Sequence, residues 1–484
     1  MSHDETSRGL LRSGSAAAFA NLVRTLALLL THVVVRRMVP VDDWGAWDWL
    51  AAFFLVLATL RDGGFPSHAV RLRPMPLGNL LRAELVLGLG LAGLLAAFAP
   101  QIAGLMAEPH PALPLALRVL AVGFVIEGIG AVALSWFEAR LRIERTLGAE
   151  MLRTAAYCSI ALVAAWRGYG FWSLVIAQGV SQVLFAAELW RRARPEIELH
   201  VIPGATLRLL IASLPVGSVW LLAGAVTYAD MFIVGHLFAR QQIALYGAAY
   251  FFAFFVFRIL QLPFGRSLYP AFIAFRDRPD EQFRAFRLGT VAFVALEVPA
   301  ALALALNADL VVTLVFGAQY AEAAPYLRLL AFAPLVDPLG RFGGELLIAR
   351  HRDRPRVLSL VLHLTALVVG GVLLSLALGS PFGMAWANFL PLGAPVILVG
   401  LLREGGGRAL VRLARELAEI YLVPLVPFGL VWLAAGERPW LRLVLSALAA
   451  LAAVGWSWLR HRRELRDFFA RRPALGLAEG PLST

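Results

Sequence analysis

Arg24, Asp230 and Arg258 each stand inside an apolar run of the sequence, and their chemistry follows from that position. A charge at the centre of a bilayer costs roughly 2.5–3.5 kcal/mol on insertion scales, so such a residue must face a partner, water or a ligand. Asn21 precedes Arg24 by one helical turn and Thr31 follows it by two, which puts the three on a similar face. Arg258 and Gln261 form a comparable patch on another run. A guanidinium holds phosphate through paired donors, so Arg24 and Arg258 are the first candidates for binding a phosphate-bearing head group. Arg61 is a further candidate, although its place near the end of a run also lets it snorkel to the surface.

Four acidic residues, Asp230, Glu127, Glu297 and Asp337, also fall within apolar runs. They could balance buried arginines or carry protons or sodium ions, and a structural hydrogen bond within a helix pair is the plainer role for each. An ion pair between Asp230 and Arg258 on neighbouring helices is the plainer reading of that couple. His32, His236 and His363 have no ligand-like spacing, so no metal is assigned. All 44 basic residues are arginine. Without lysine there is no Walker A loop and no Schiff-base chemistry. Cys158 is the sole cysteine, which excludes an internal disulfide, and no cofactor is expected.

These residues need long helices to position them. Of the 484 residues 60% are hydrophobic and only 16% charged, against about a quarter charged in an average soluble domain, so the fold class is an all-α polytopic membrane protein. Apolar runs near 15–38, 44–66, 80–105, 114–137, 147–166, 169–190, 212–235, 243–264, 285–306, 325–348, 357–378, 382–402, 417–434 and 440–459 make about fourteen transmembrane helices. The first run is too long for a signal-peptide core and is read as a retained span. Tyr246-Gly247-Ala248 echoes Trp44-Gly45-Ala46 after a polar break, the mark of an internal repeat. We therefore expect two six-helix lobes around a central cleft, 1–205 and 206–402, with 403–484 adding two helices and a tail after the flexible REGGGR joint.

Twenty-seven loop arginines share a face with the termini and five lie opposite, which predicts cytoplasmic N- and C-termini in a bacterial inner membrane. A basic cytoplasmic face on anionic lipid accounts for the net charge of +12, so no nucleic acid is expected as a partner. The loops are too short to hold a soluble domain, which confines any chemistry to the membrane. Trp44, Trp47, Trp49, Trp166 and Trp172 fall at predicted outer ends and read as interfacial anchors. Prolines within the runs, among them Pro299, Pro334, Pro338, Pro391 and Pro424, predict kinks suited to a rocking transporter.

The order of several motifs resembles bacterial polysaccharide flippases of the multidrug, oligosaccharidyl-lipid and polysaccharide exporter superfamily. In the first half these are RRMVP-VDD-WGAWDWLAAFF, the exit Asp62-Gly63-Gly64-Phe65 followed by Ser67, Ala69 and Arg71, the basic stretch Glu138–Arg145, and Gly168-Tyr169-Gly170-Phe171-Trp172. In the second half they are Asp230 with Val234-Gly235, then Leu245-Tyr246-Gly247, and FGAQYAEAAPYLRLLA at Phe316–Ala331. One departure is the arginine pair in RRMVP, where the family carries a leucine-glycine pair.

The resemblance implies translocation of undecaprenyl-diphosphate-linked oligosaccharides across the inner membrane by alternating access. It also implies lipid-linked oligosaccharide and membrane lipids as partners, with a polysaccharide polymerase and glycosyltransferases working alongside. A lipid II flippase and a drug or cation antiporter share the superfamily. The antiporter would want a more acidic, aromatic cavity than the arginines here provide. A membrane-embedded glycosyltransferase or polymerase would want a sizeable extracytoplasmic loop, which the sequence lacks, so no enzyme activity is expected.

Overall fold

A computed structural model describes residues 21–470 apart from 22, 70–74, 141, 194–196 and 337, and every regular element among them is helical. Asp337, Arg71 and Arg73 therefore lie outside the described residues. Among the described residues ten helical segments are long and apolar enough to cross a membrane, and they coincide with ten of the fourteen apolar runs.

The other four runs differ for identifiable reasons. The first is described over α1, residues 23–38. The second is the unbroken α2 (Val41–Asp62), which carries Asp42, Asp43, Asp48, Arg61 and Asp62. The run at 325–348 is split into α12 (Ala324–Leu330), a 3-10 turn at Ala333–Val336 and α13 (Pro338–Ala349). The run at 382–402 is α15 (Phe382–Ala387) and α16 (Ala394–Arg403), with Pro391 between them. A proline removes a backbone donor and crowds the carbonyl four residues earlier, which favours a break where Pro334, Pro338 and Pro391 stand. Pro299 by contrast sits inside an unbroken α10 (Pro279–Leu306).

The chain divides into two compact units, Met1–Leu245 and Tyr246–Thr484. In the first unit α4 (Leu77–Ala103), α5 (Leu113–Ala139), α6 (Leu147–Trp166) and α7 (Trp172–Ala193) pack around Leu80, Trp136, Phe137 and Leu189. α8 (Ala205–Leu237) lies along α2 in the same unit. Small residues allow that approach: a Cβ on Gly235 would stand 2.0 Å from Trp49 Cδ1, and one on Gly217 would stand 2.3 Å from the Gly63 carbonyl oxygen.

The tryptophan expectation is corrected here. Trp44, Trp47 and Trp49 are buried, Trp49 stacks on Phe53 at 5.6 Å, and the Arg36 guanidinium lies 4.2 Å from the Trp44 ring. Trp49 packs on Phe232 and Gly235 of α8 and Trp44 on His32 and Arg36, whereas Trp166 remains exposed. We expect Gly235→Val to destabilise the first unit by about 1–3 kcal/mol, because the added methyls have no room beside Trp49. A lowered melting temperature of the purified protein checks this, and an unchanged one would show that the two helices separate without cost.

Two stretches singled out in the sequence meet at one end of this unit. Asp43 Oδ2 accepts the Phe171 amide at 2.8 Å, and its Oδ1 lies 3.4 Å from His110 Nε2. Gly170 takes φ +49 beneath that carboxylate, a conformation that favours glycine. Partial burial holds the His110 imidazole below its ordinary value, although the neighbouring Asp43 pulls the other way.

The second unit is built on α10. Phe257 and Phe272 from α9 (Arg240–Ala274) pack with Phe286 and Phe293 of α10 and with Phe342, Ile397 and Leu413 from α13, α16 and α17 (Gly407–Leu422). α14 (Asp353–Leu378) packs on α13, α15 and α16, and α18 (Leu425–Ala435) packs on α19 (Pro439–Ala470). Both α17 and α19 lie on α10. Buried Arg287 of α10 ties them there, donating to Glu416 of α17 and to Glu464 of α19.

Candidate functional site

Each unit holds its own group of charges within the apolar helices. In the first unit, Arg24 donates to Glu150 Oε2 of α6 at 2.7 Å and to Asn21 Oδ1 at 2.7 Å. Asn21 and Arg24 thus share a face as the spacing predicts, and Thr31 is buried further along α1. The pair is half-buried, with 26% of the Arg24 side chain and 29% of the Glu150 side chain exposed, so solvent or a ligand can still reach it. Arg153, one turn after Glu150 on α6, lies within electrostatic reach of Arg24, Glu150 and Glu127.

Deeper in this unit, Arg61 of α2 forms an ion pair with Glu84 of α4. The two side chains are 8% and 0% exposed, which corrects the snorkelling alternative for Arg61: its guanidinium is inside the helix bundle. Glycine makes the space, since a Cβ on Gly128 of α5 would come within 3.1 Å of Glu84 Oε2 and 3.3 Å of Arg61 Nη1. Glu127, one residue earlier on α5, accepts a hydrogen bond from Gln182 Nε2 at 2.5 Å and feels both Arg61 and Arg153. Asp230 of α8 is fully buried, with its Oδ1 accepting the Met231 amide at 2.8 Å.

In the second unit, Glu297 of α10 is 3% exposed, and neither carboxylate oxygen has a hydrogen-bond partner among the described residues. Arg341 of α13 supplies the nearest balancing charge, with its guanidinium 3.9 Å from the Phe257 ring. Glu345 lies one turn beyond Arg341, within reach of both Arg341 and Arg356, and Arg356 donates to the Gly340 carbonyl at 2.9 Å. Arg258 of α9 is exposed, with no ion pair among the described residues, and Gln261 one turn on is half-buried. An exposed guanidinium in the middle of an apolar helix meets either lipid or water, and the lipid-facing choice is the costly one.

The sequence singles out Arg24, Asn21, Arg61, Glu127, Asp230, Glu297, Arg258 and Gln261 as candidates; beside several of them the structure places Glu84, Glu150, Arg153, Arg341 and Glu345, which the sequence analysis did not name. The signal was present for all five. Each falls within a predicted apolar run, and Arg341 and Glu345 are spaced i, i+4, which puts them on one helical face.

An all-helical fold with this many apolar helices is that of a multi-pass membrane protein, and solved structures share it. The lipid II flippase MurJ in an inward closed conformation superposes with TM-score 0.73 at 12% identity, over 93% of this chain and 99% of that one. An inward-facing multidrug resistance MATE family transporter of the MOP superfamily gives TM-score 0.64 at 15% identity, over 81% and 95%. The sequence gives the narrower assignment. Residues 34–325 match the polysaccharide biosynthesis protein family, and the chain belongs to it. It is also 25% identical over 319 residues to the succinoglycan biosynthesis transport protein ExoT of Rhizobium meliloti (strain 1021), a match spanning 65% of this chain and 64% of that protein's length.

Proposed function

We propose that the chain is a flippase that moves undecaprenyl-diphosphate-linked oligosaccharide repeat units across the bacterial inner membrane for polysaccharide synthesis. Two six-helix lobes, 1–205 and 206–402, rock about a central cleft, and 403–484 adds two helices and a cytoplasmic tail. Membership of the polysaccharide biosynthesis protein family and likeness to a succinoglycan biosynthesis transport protein support polysaccharide transport. The observation that carries the substrate class is Arg258, an exposed cation within an apolar helix and without a carboxylate among the described residues. A diphosphate satisfies such a group, and the polyprenyl tail stays in lipid while the sugars follow the aqueous route. Arg24 and Asn21 contribute from the other lobe, and Gln261 extends the Arg258 patch.

The carboxylates Asp230, Glu127 and Glu297 supply charge balance or hold the coupling cation, with Asp337 a fourth candidate from its place in the sequence. Glu297 is the strongest of them, because an orphaned buried carboxylate gains most from a proton or a cation. Polymerase and glycosyltransferases act before and after the transport step as separate partners. Lipid II is the competing substrate, favoured by the near-complete superposition on MurJ.

Proteoliposomes loaded with defined lipid-linked oligosaccharides test the reading. Transfer of the oligosaccharide lipid, with lipid II moved more slowly, is the expected result, and transfer of lipid II alone would replace it. In the same assay Asp230→Asn is expected to preserve folding and membrane level while reducing transport, because the amide can no longer hold a cation or balance an arginine. Full transport by a well-expressed Asn variant would leave Asp230 a structural residue.

A further inference from the structure

One end of the second unit holds a cavity of about 570 Å³ between the start of α10, the start of α17 and the end of α19. Four arginines line it, Arg284 and Arg287 from α10 and Arg408 and Arg412 from α17, against only Asp280 and Glu464. Helical spacing puts each pair on one face, at i, i+3 on α10 and at i, i+4 on α17, so the two faces converge on a common space.

The charges inside are unevenly used. Arg287 is committed to Glu416 and Glu464, and Arg412 to the same two carboxylates. Among the described residues Arg284 and Arg408 have no ion pair, although Glu464 lies within electrostatic reach of Arg284. α10 and α17 both begin at this cavity, and their N-terminal ends add partial positive charge to it.

We propose that this cavity binds a phosphate group through Arg284 and Arg408, with Arg287 and Arg412 forming its fixed floor. The group comes from the headgroup of an anionic membrane phospholipid or from free phosphate. A basic pocket between helices at a membrane surface suits a phospholipid headgroup. This site is separate from Arg258 and does not depend on the substrate proposed above.

The test uses the full chain in nanodiscs of phosphatidylcholine with and without phosphatidylglycerol, followed by native mass spectrometry of retained lipid. The same preparation is titrated with sodium phosphate. The wild type is expected to retain phosphatidylglycerol over phosphatidylcholine. Arg284→Gln and Arg408→Gln are each expected to weaken that retention about tenfold, the loss of one charge-assisted hydrogen bond. Arg284→Lys is expected to keep part of it.

If phosphate displaces the lipid, the phosphate group alone suffices. If it does not, the lipid is the ligand. Neither Arg284 nor Arg408 takes part in the ion pairs that join α10, α17 and α19, so both variants should fold, and each reads the site independently of the other. Equal retention of the two lipids by the wild type with no phosphate binding, or undiminished retention in both folded Gln variants, would overturn the proposal.

Discussion

Arg61→Ala is expected to destabilise the protein by about 3–5 kcal/mol, enough to lower its level in the membrane as well as its melting temperature. Arg61 and Glu84 are an ion pair in which both side chains are almost wholly buried. Removing one partner leaves the other charge inside the bundle with nothing to balance it. Glu84 Oε1 and Arg61 Nε already lack hydrogen-bond partners among the described residues, so the pair has little other support. Replacing both residues with apolar ones of similar volume, Arg61→Met with Glu84→Leu, is expected to recover most of the loss, because the desolvation cost disappears along with the attraction. Thermal unfolding of the three variants in one detergent decides the matter. An Arg61→Ala protein that melts with the wild type would mean that water reaches the pair.

The Arg61 pair also shows where sequence reading stops. The position of Arg61 near a helix end was plain, but its partner is on a different helix 23 residues away, and nothing in the local pattern says which faces meet. Glu150 is 126 residues from Arg24, so the same limit holds there. What the sequence carried well was the apolar period. Among the described residues ten runs fall in helical segments long and apolar enough to cross a membrane, because composition and length alone decide that, although the run at 417–434 breaks between α17 and α18.

The broken runs were half legible. Pro334, Pro338 and Pro391 announced interruptions, yet Pro299 interrupts nothing, because local sequence does not reveal whether neighbouring helices will hold a helix together. The tryptophans misled for a related reason. At the ends of apolar runs, interfacial anchoring is the usual role, and only Gly235 of α8, opposite Trp49, explains why that ring could be buried instead.

Arg258→Ala is expected to abolish translocation while leaving the melting temperature and membrane level of the wild type, and the contrast with Arg24 makes the result informative. The two arginines look alike as sequence, each well inside an apolar run. The structure separates them: Arg24 already has Glu150 at 2.7 Å, whereas Arg258 is exposed without an ion pair among the described residues. A partnered arginine that is removed leaves a carboxylate behind, so Arg24→Ala is expected to cost some stability as well as transport. If Arg24 serves only to neutralise Glu150, then Arg24→Ala with Glu150→Ala restores transport. If it also binds the diphosphate, as we propose, the double variant stays inactive although it folds. Arg258→Lys is expected to recover only part of the activity, because an ammonium keeps the charge but loses the paired donors that match a phosphate. Transport measured in proteoliposomes at matched protein levels reads all four variants, and an active Arg258→Ala protein would remove this residue from the substrate path.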